Sequence, residues 1–239
     1  MIPPEPAMRA GMGTGVRWWN VYQDRDGWDR RHPAAAGLTG WVEEHLMRPH
    51  PELGRDGPVC PFVRGSTAHG LLWAGLAAGG DRLEVPEMVR IIDDALEIYG
   101  GLSDDHPDRT RHIAMATVFP ELTRFDRIDA AHQACKSEVV RRGFMLGQFY
   151  PGCRVPGLWN REFHPLDAPV PMLVLRPMMS TDYPFLVGRT DWLYAYFTRM
   201  APDLPRRLRH EIADHLRVEG AAVADITALR AHEPGEHGR

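Results

Sequence analysis

The sequence predicts an α+β fold, a small mixed or antiparallel sheet packed with helices and followed by a helical C-terminal extension. Three observations predict it. Strand-like runs at 111–119, 144–150 and 170–178 are interspersed with helical stretches, prolines stand at the strand ends, and the connections are of mixed type. No unit of strand, Gly-rich turn and helix suits a dinucleotide, because the GMGTG near Met12 lacks a preceding strand.

Residues 1–33 mix Pro, Gly, Arg, Asp and Trp without a clear period and are expected to form an irregular arm over the main body. A single α+β domain is expected over 34–202, with terminal helices and a flexible tail over 203–239. Within the domain, 38–47 reads as a short helix with Thr39 as its cap, ended by Pro49, Pro51 and Gly54, and the turn-rich GRDGPVCPFVRGS follows. From Val85, apolar residues Met88, Ile91, Ile92, Ala95, Leu96 and Tyr99 recur at helical spacing, with Gly100 and Gly101 as the expected stop. The run RHIAMATVF alternates like a strand, and Pro120 ends it. The next helix carries Phe125, Ile128, His132, Cys135 and Val139 on one stripe, so a histidine sits mid-stripe on an apolar face, and Gly143 stops it. The strands at 144–150 and 170–178 read as neighbours, joined by a long connection rich in Pro and Gly over 151–169. Such a stiff loop in a compact domain frames a pocket. Asp182 can cap a helix running through PFLVGRTDWLYAYFTRM, and residues 204–230 suit one or two amphipathic helices.

Composition narrows the classes of function. The chain has 239 residues, 44% of them hydrophobic and 25% charged, with a formal charge of −4. That balance argues against a general nucleic-acid binder or a membrane coat, and no run reaches the roughly 18 apolar residues that a membrane helix needs. Cys60, Cys135 and Cys153 show no CxxC spacing, and no signal peptide precedes them, so a reducing cytoplasm is expected. A small-molecule substrate is the expected partner, and a homodimer is compatible with the sequence. The G-x-S-x-G, H-E-x-x-H, Walker and kinase signatures are absent, and Asp93, Asp94, Asp104 and Asp105 read as solvated.

Several residues are candidates for chemistry. His132 is either a core imidazole bonded to a backbone carbonyl or an axial ligand to a haem iron. Cys60, held between prolines in GPVCPFVRG, is either an inert thiol or a thiolate ligand to haem. Lys136 is the only lysine in a chain whose other basic residues are arginines, a contrast that base composition or a need for a compact ammonium would explain. Arg176, in LVLRPMM, needs an anionic partner if it points inward, either Asp182 or a carboxylate of a ligand. Tyr150, Trp159, His164, Met172, Met178 and Met179 are core or pocket wall.

The order GPVCPFV, a strand ending VFP, a helix with His132 and Lys136, GFMLGQFYPG, PGLWN, APVPMLVLRPM and TDYPFL resembles a family of bacterial domains of unknown function often encoded near natural-product pathways. The likeness covers residues 58–186. Tyr150 and Pro177 stand where histidines are common in that family, whereas His132 and Lys136 keep the expected types. More distantly, the chain is similar to the YqcI/YcgG family, some members of which are haem proteins that hydroxylate side-chain nitrogens of amino acids. The resemblance implies a haem-dependent oxygenase acting on an amine or guanidine nitrogen of a small amino-acid-like substrate in a biosynthetic pathway. His132, Cys60 and Tyr150 would then stand around the cofactor, Arg176 would bind a propionate or the substrate carboxylate, and Lys136 and Asp182 would orient groups nearby or pair with each other. A non-catalytic partner protein of such a pathway and a metal-dependent enzyme without haem are the alternatives.

Overall fold

The computed structural model describes residues 8–218. Six strands make one mixed sheet: β1 (Met8–Ala10), β2 (Arg17–Asn20), β3 (Leu72–Leu76), β4 (Ala114–Val118), β5 (Phe144–Phe149) and β6 (Met172–Pro177), in the spatial order β1-β2-β3-β4-β6-β5. β3 and β4 run parallel; the other neighbours are antiparallel. The α+β class is as expected, and β5 and β6 are indeed neighbours, with Leu146 opposite Leu175 and Gly147 opposite Val174.

Alternation along the strands sorts side chains into two layers. Trp73, Met115, Leu146, Leu173 and Leu175 face helices α4 (Val85–Asp105) and α5 (Asp126–Arg141), meeting Met88, Ile92, Leu96, Ile128 and Cys135. On the other face Leu72, Ala74, Ala114, Ala116, Val118 and Met172 meet the short helix α1 (Arg25–Asp29), α2 (Pro33–Trp41), a single π-helical turn at Val42–Leu46 and α3 (Pro61–Ala68). A third apolar cluster joins α6 (Thr190–Met200) and α7 (Arg206–Leu216) to Val140, Met145 and Met178 beside β5.

Several expectations need correction. The segment read as an irregular arm supplies β1 and β2, whose RWWN gives no polar alternation because Trp18 and Trp19 bury against opposite faces. β3 escaped notice because its residues are buried on both sides, so its apolar run has no period. α2 begins at Pro33, capped by the His32 ring that accepts from Ala34 N–H, while Thr39 sits inside it bonded to Asp29. Pro61 opens α3 where a turn was expected, since proline at the first helical position loses no hydrogen bond. Gly100 and Gly101 do not end α4, which continues to Asp105 and is held by buried Leu102. Asp94 is buried, not solvated: it accepts from Gly13 N–H, Thr14 N–H and the Thr14 hydroxyl, pinning the turn between β1 and β2. The helix expected from Asp182 divides into a 3-10 segment, Ser180–Phe185, and α6. The stop at Gly143 is as expected, at φ +84. The expected tail lies outside the described residues.

Candidate functional site

β5 is an edge strand, and α5 lies along it so that two of its side chains meet one strand carbonyl. His132 and Lys136, one turn apart, face the oxygen of Leu146, with Nε2 at 3.0 Å and Nζ at 3.4 Å. They satisfy an acceptor that an edge strand would otherwise leave open. Burial, aided by the Lys136 charge, holds the His132 pKa down at about 4 against the opposing bond to Leu146. The imidazole is therefore neutral at pH 7, and because a carbonyl only accepts, Nε2 carries the proton. His132 as it stands does not offer Nε2 to an iron: the bond to Leu146 would have to break first. Among the described residues, no group of three or more His, Cys, Asp and Glu side chains is disposed to hold a metal ion.

Arg176 ends β6 and points to the face opposite α5, in register with Met145. Asp182 answers it. The two guanidinium nitrogens donate to the two carboxylate oxygens at 2.7 and 2.6 Å, and Asp182 also accepts from Met179 N–H at 2.7 Å. The Asp182 side chain is 2% exposed and that of Arg176 24%. Three of the five guanidinium N–H groups are used, on Asp182 and on the Pro177 carbonyl, which leaves two. The Phe62 ring lies 5.5 Å from the guanidinium carbon, and Cys60, at the start of α3, is near enough for its thiolate form to act on that charge.

The Lys136 ammonium feels the charges of both Arg176 and Asp182. Burial lowers its pKa to about 8, with Arg176 pushing the same way and Asp182 opposing. Its ammonium also lies 5.8 Å from the centre of the Trp192 ring, which Arg189 approaches from 5.3 Å. Asp182 is committed to Arg176, and among the described residues no carboxylate stands within 4.0 Å of the Lys136 ammonium. A desolvated cation without a partner calls for an anion.

The sequence-derived candidates thus fall into separate places. Arg176 and Asp182 form an ion pair at the end of β6 whose charges act on Lys136, while Lys136 and His132 meet at the Leu146 carbonyl and Cys60 stands at the start of α3. Tyr150 stands apart on the α5 side, its hydroxyl donating to Asp129 at 2.8 Å and its ring stacked on Phe125, so burial and the Asp129 charge push its pKa up. Cys135 is a core thiol whose pKa burial raises to about 11.

Two further features escaped sequence reasoning. The rings of Trp41, His45, His50, Phe149 and Phe163 form a connected cluster, with His45 and His50 at 5.7 Å and His50 and Phe163 at 4.7 Å. A groove of about 470 Å³ lies between the π-helical turn and α3, lined by Tyr22, Glu43, Met47, Arg48, Arg64 and Thr67. Spacing in the sequence could have signalled the first only weakly, since its members come from three separate segments.

Over residues 35–211 the sequence matches the family described as domain of unknown function DUF6875. No curated protein and no solved structure matches the chain. The matched span holds every residue of the edge cluster and stops short of β1 and β2, and on that extent of agreement the chain belongs to the DUF6875 family.

Proposed function

We propose that the chain binds a small carboxylate-bearing, amino-acid-like molecule at the β5–β6 edge and acts on it as an enzyme. The observation that carries this reading is the half-buried Lys136 ammonium, which among the described residues has no carboxylate within 4.0 Å and whose pKa burial and the Arg176 charge lower to about 8. A carboxylate ligand would neutralise that charge. Perturbed titratable groups beside an open edge are the usual mark of such a site. Thermal-shift and calorimetric titration with a panel of amino acids, and with the matching amines that lack a carboxylate, tests it. Carboxylates should stabilise the wild type and lose that effect in Lys136→Met; equal stabilisation of the two proteins would refute the reading.

Haem-dependent oxidation of an amine or guanidine nitrogen of that molecule is a second reading. Cys60 favours it: it is half-buried at the start of α3, and its side chain caps nothing there. There Cys60 would hold the iron, and the cofactor would supply the oxidising chemistry. Purification with haem supplied should give a Soret band that survives gel filtration and is lost in Cys60→Ser.

A further inference from the structure

We propose that the groove between the π-helical turn and α3 is a binding site for a small organic phosphate, whose phosphate group bridges Arg48 and Arg64 and whose carbon skeleton fills the remaining volume. A local irregularity of the chain makes the groove. At Val42–Leu46 the helix widens by one residue, so the Met47 N–H reaches the Val42 carbonyl at 3.0 Å, five residues back. Single turns of this kind recur at functional sites. The space between this turn and α3 is about 470 Å³, lined by Tyr22, Glu43, Met47, Arg48, Arg64 and Thr67, and it falls within the roughly 300–1,000 Å³ of small-molecule sites.

The chain itself holds the polar groups of the groove in place. Arg64 donates through Nε and one terminal nitrogen to the Met47 carbonyl, at 3.0 and 2.7 Å, and Arg48 donates through Nε to the Glu43 carbonyl at 3.3 Å. The Thr67 hydroxyl ties α3 to the turn, meeting the Arg64 carbonyl at 3.1 Å and the Met47 sulfur at 3.7 Å. Backbone carbonyls position both guanidinium groups without neutralising them, and among the described residues neither has a carboxylate within 4.0 Å. Glu43, the acid that lines the groove, is engaged by Arg25 and by the Tyr22 hydroxyl. Two positive charges are left, together with seven of the ten N–H groups of the two guanidiniums. The carbonyls that hold them are four residues apart, about 6 Å along a helix. A carboxylate, with one charge and two oxygens, answers one guanidinium; a phosphate monoester, with close to two charges and three terminal oxygens, answers both. A phosphate group alone is far smaller than the groove. Tyr22, Met47 and Thr67 offer an aromatic ring, a thioether and a methyl group to an organic remainder.

The test is calorimetric titration of the full protein at low salt with phenyl phosphate, inorganic phosphate and benzoate. Phenyl phosphate should bind saturably, and inorganic phosphate and benzoate each at least about tenfold more weakly. Its affinity should fall as salt is raised, and again below about pH 6, where the phosphate takes up its second proton. Arg48→Gln removes one charge and Arg64→Lys the planar fork, so each should weaken phenyl phosphate by about tenfold or more. The Arg48 side chain is exposed, so Arg48→Gln should keep the wild-type urea midpoint, and its loss of affinity then reports the site and not the fold. Lys136→Met should leave the affinity unchanged. Failure of phenyl phosphate to bind saturably, unaltered affinity in both arginine variants, or equally tight binding of benzoate overturns the phosphate site. Equal affinity for phenyl and inorganic phosphate overturns the organic remainder, and loss of binding in Lys136→Met overturns the groove as its location.

Discussion

Replacing Lys136 by Met should make the protein more stable at neutral pH, the opposite of what most substitutions of half-buried residues do. Folding lowers the lysine pKa from 10.5 to about 8, a difference that corresponds to about 3 kcal/mol at about 1.36 kcal/mol per pH unit. Partial solvent access reduces the figure, and the variant also loses the long bond to Leu146 and the contact with Trp192, about 1 kcal/mol together. Met keeps the length of the side chain, so packing is little changed. The net gain is about 1–2 kcal/mol, or roughly 3–6 °C in Tm for a chain of this size. The pH dependence follows from the sign of the shift. A base whose folded pKa is depressed destabilises the fold below that pKa, and the penalty fades as pH rises from about 8 to 10.5. Urea unfolding followed by tryptophan fluorescence at several values between pH 7 and 10 should therefore show the variant's advantage shrinking above pH 8. An unchanged or lower Tm, or an advantage that does not vary with pH, would refute the claim that Lys136 is a strained, unneutralised cation.

Three other outcomes test the frame around it. Asp182→Ala strands the Arg176 guanidinium and Met179 N–H and should cost about 3 kcal/mol, whereas Arg176→Met combined with Asp182→Leu should recover most of it; a loss under about 1 kcal/mol for the single variant would contradict the buried pair. His132, neutral in the fold with a pKa of about 4, contributes stability that is complete above about pH 6.5 and falls by up to about 3 kcal/mol as pH drops to 4; His132→Gln should flatten that part of the pH profile of the urea midpoint. Gly54 has φ +78, and a Cβ there would lie 2.8 Å from the Trp159 carbonyl oxygen, so Gly54→Ala should lose about 2 kcal/mol in chemical denaturation; an unshifted midpoint would mean that the 151–169 connection does not seat on that turn.

The elements that the sequence predicts well are those with one wet side. α5 and the β5–β6 pair show their periods because solvent or an edge lies along them, and Gly143 marks their junction through its positive φ. β2, β3 and α3 were hidden for the opposite reasons: burial on both faces erases alternation, and Pro61 resembles a turn residue although it opens a helix. The pairing of Arg176 with Asp182 was among the alternatives that residue types alone posed. That Lys136 meets the Leu146 carbonyl was not visible, since it depends on α5 lying against the β5 edge rather than on any spacing in the chain. The bond between His132 and the Leu146 carbonyl likewise depends on where an edge strand presents its unpaired oxygen.

The two edges of the sheet are closed in different ways, and the difference bears on where chemistry can reside. At the β1 edge the hairpin is tied down by Asp94, whose two oxygens are occupied by three donors within 2.8 Å, a fully satisfied anchor with nothing left for a ligand. At the β5 edge the closing groups are side chains that could do the same work without charge: a glutamine in place of His132 or Lys136 would answer the Leu146 carbonyl at no electrostatic cost. The chain instead places its only lysine there, half-buried and, among the described residues, with no carboxylate within 4.0 Å. Structural closure alone gives no reason to accept that penalty, whereas an anionic ligand removes it on binding, so the penalty in the free protein becomes affinity in the complex. The family match includes this edge and excludes the hairpin. The costly edge, not the satisfied one, thus belongs to the part of the chain held in common with its relatives.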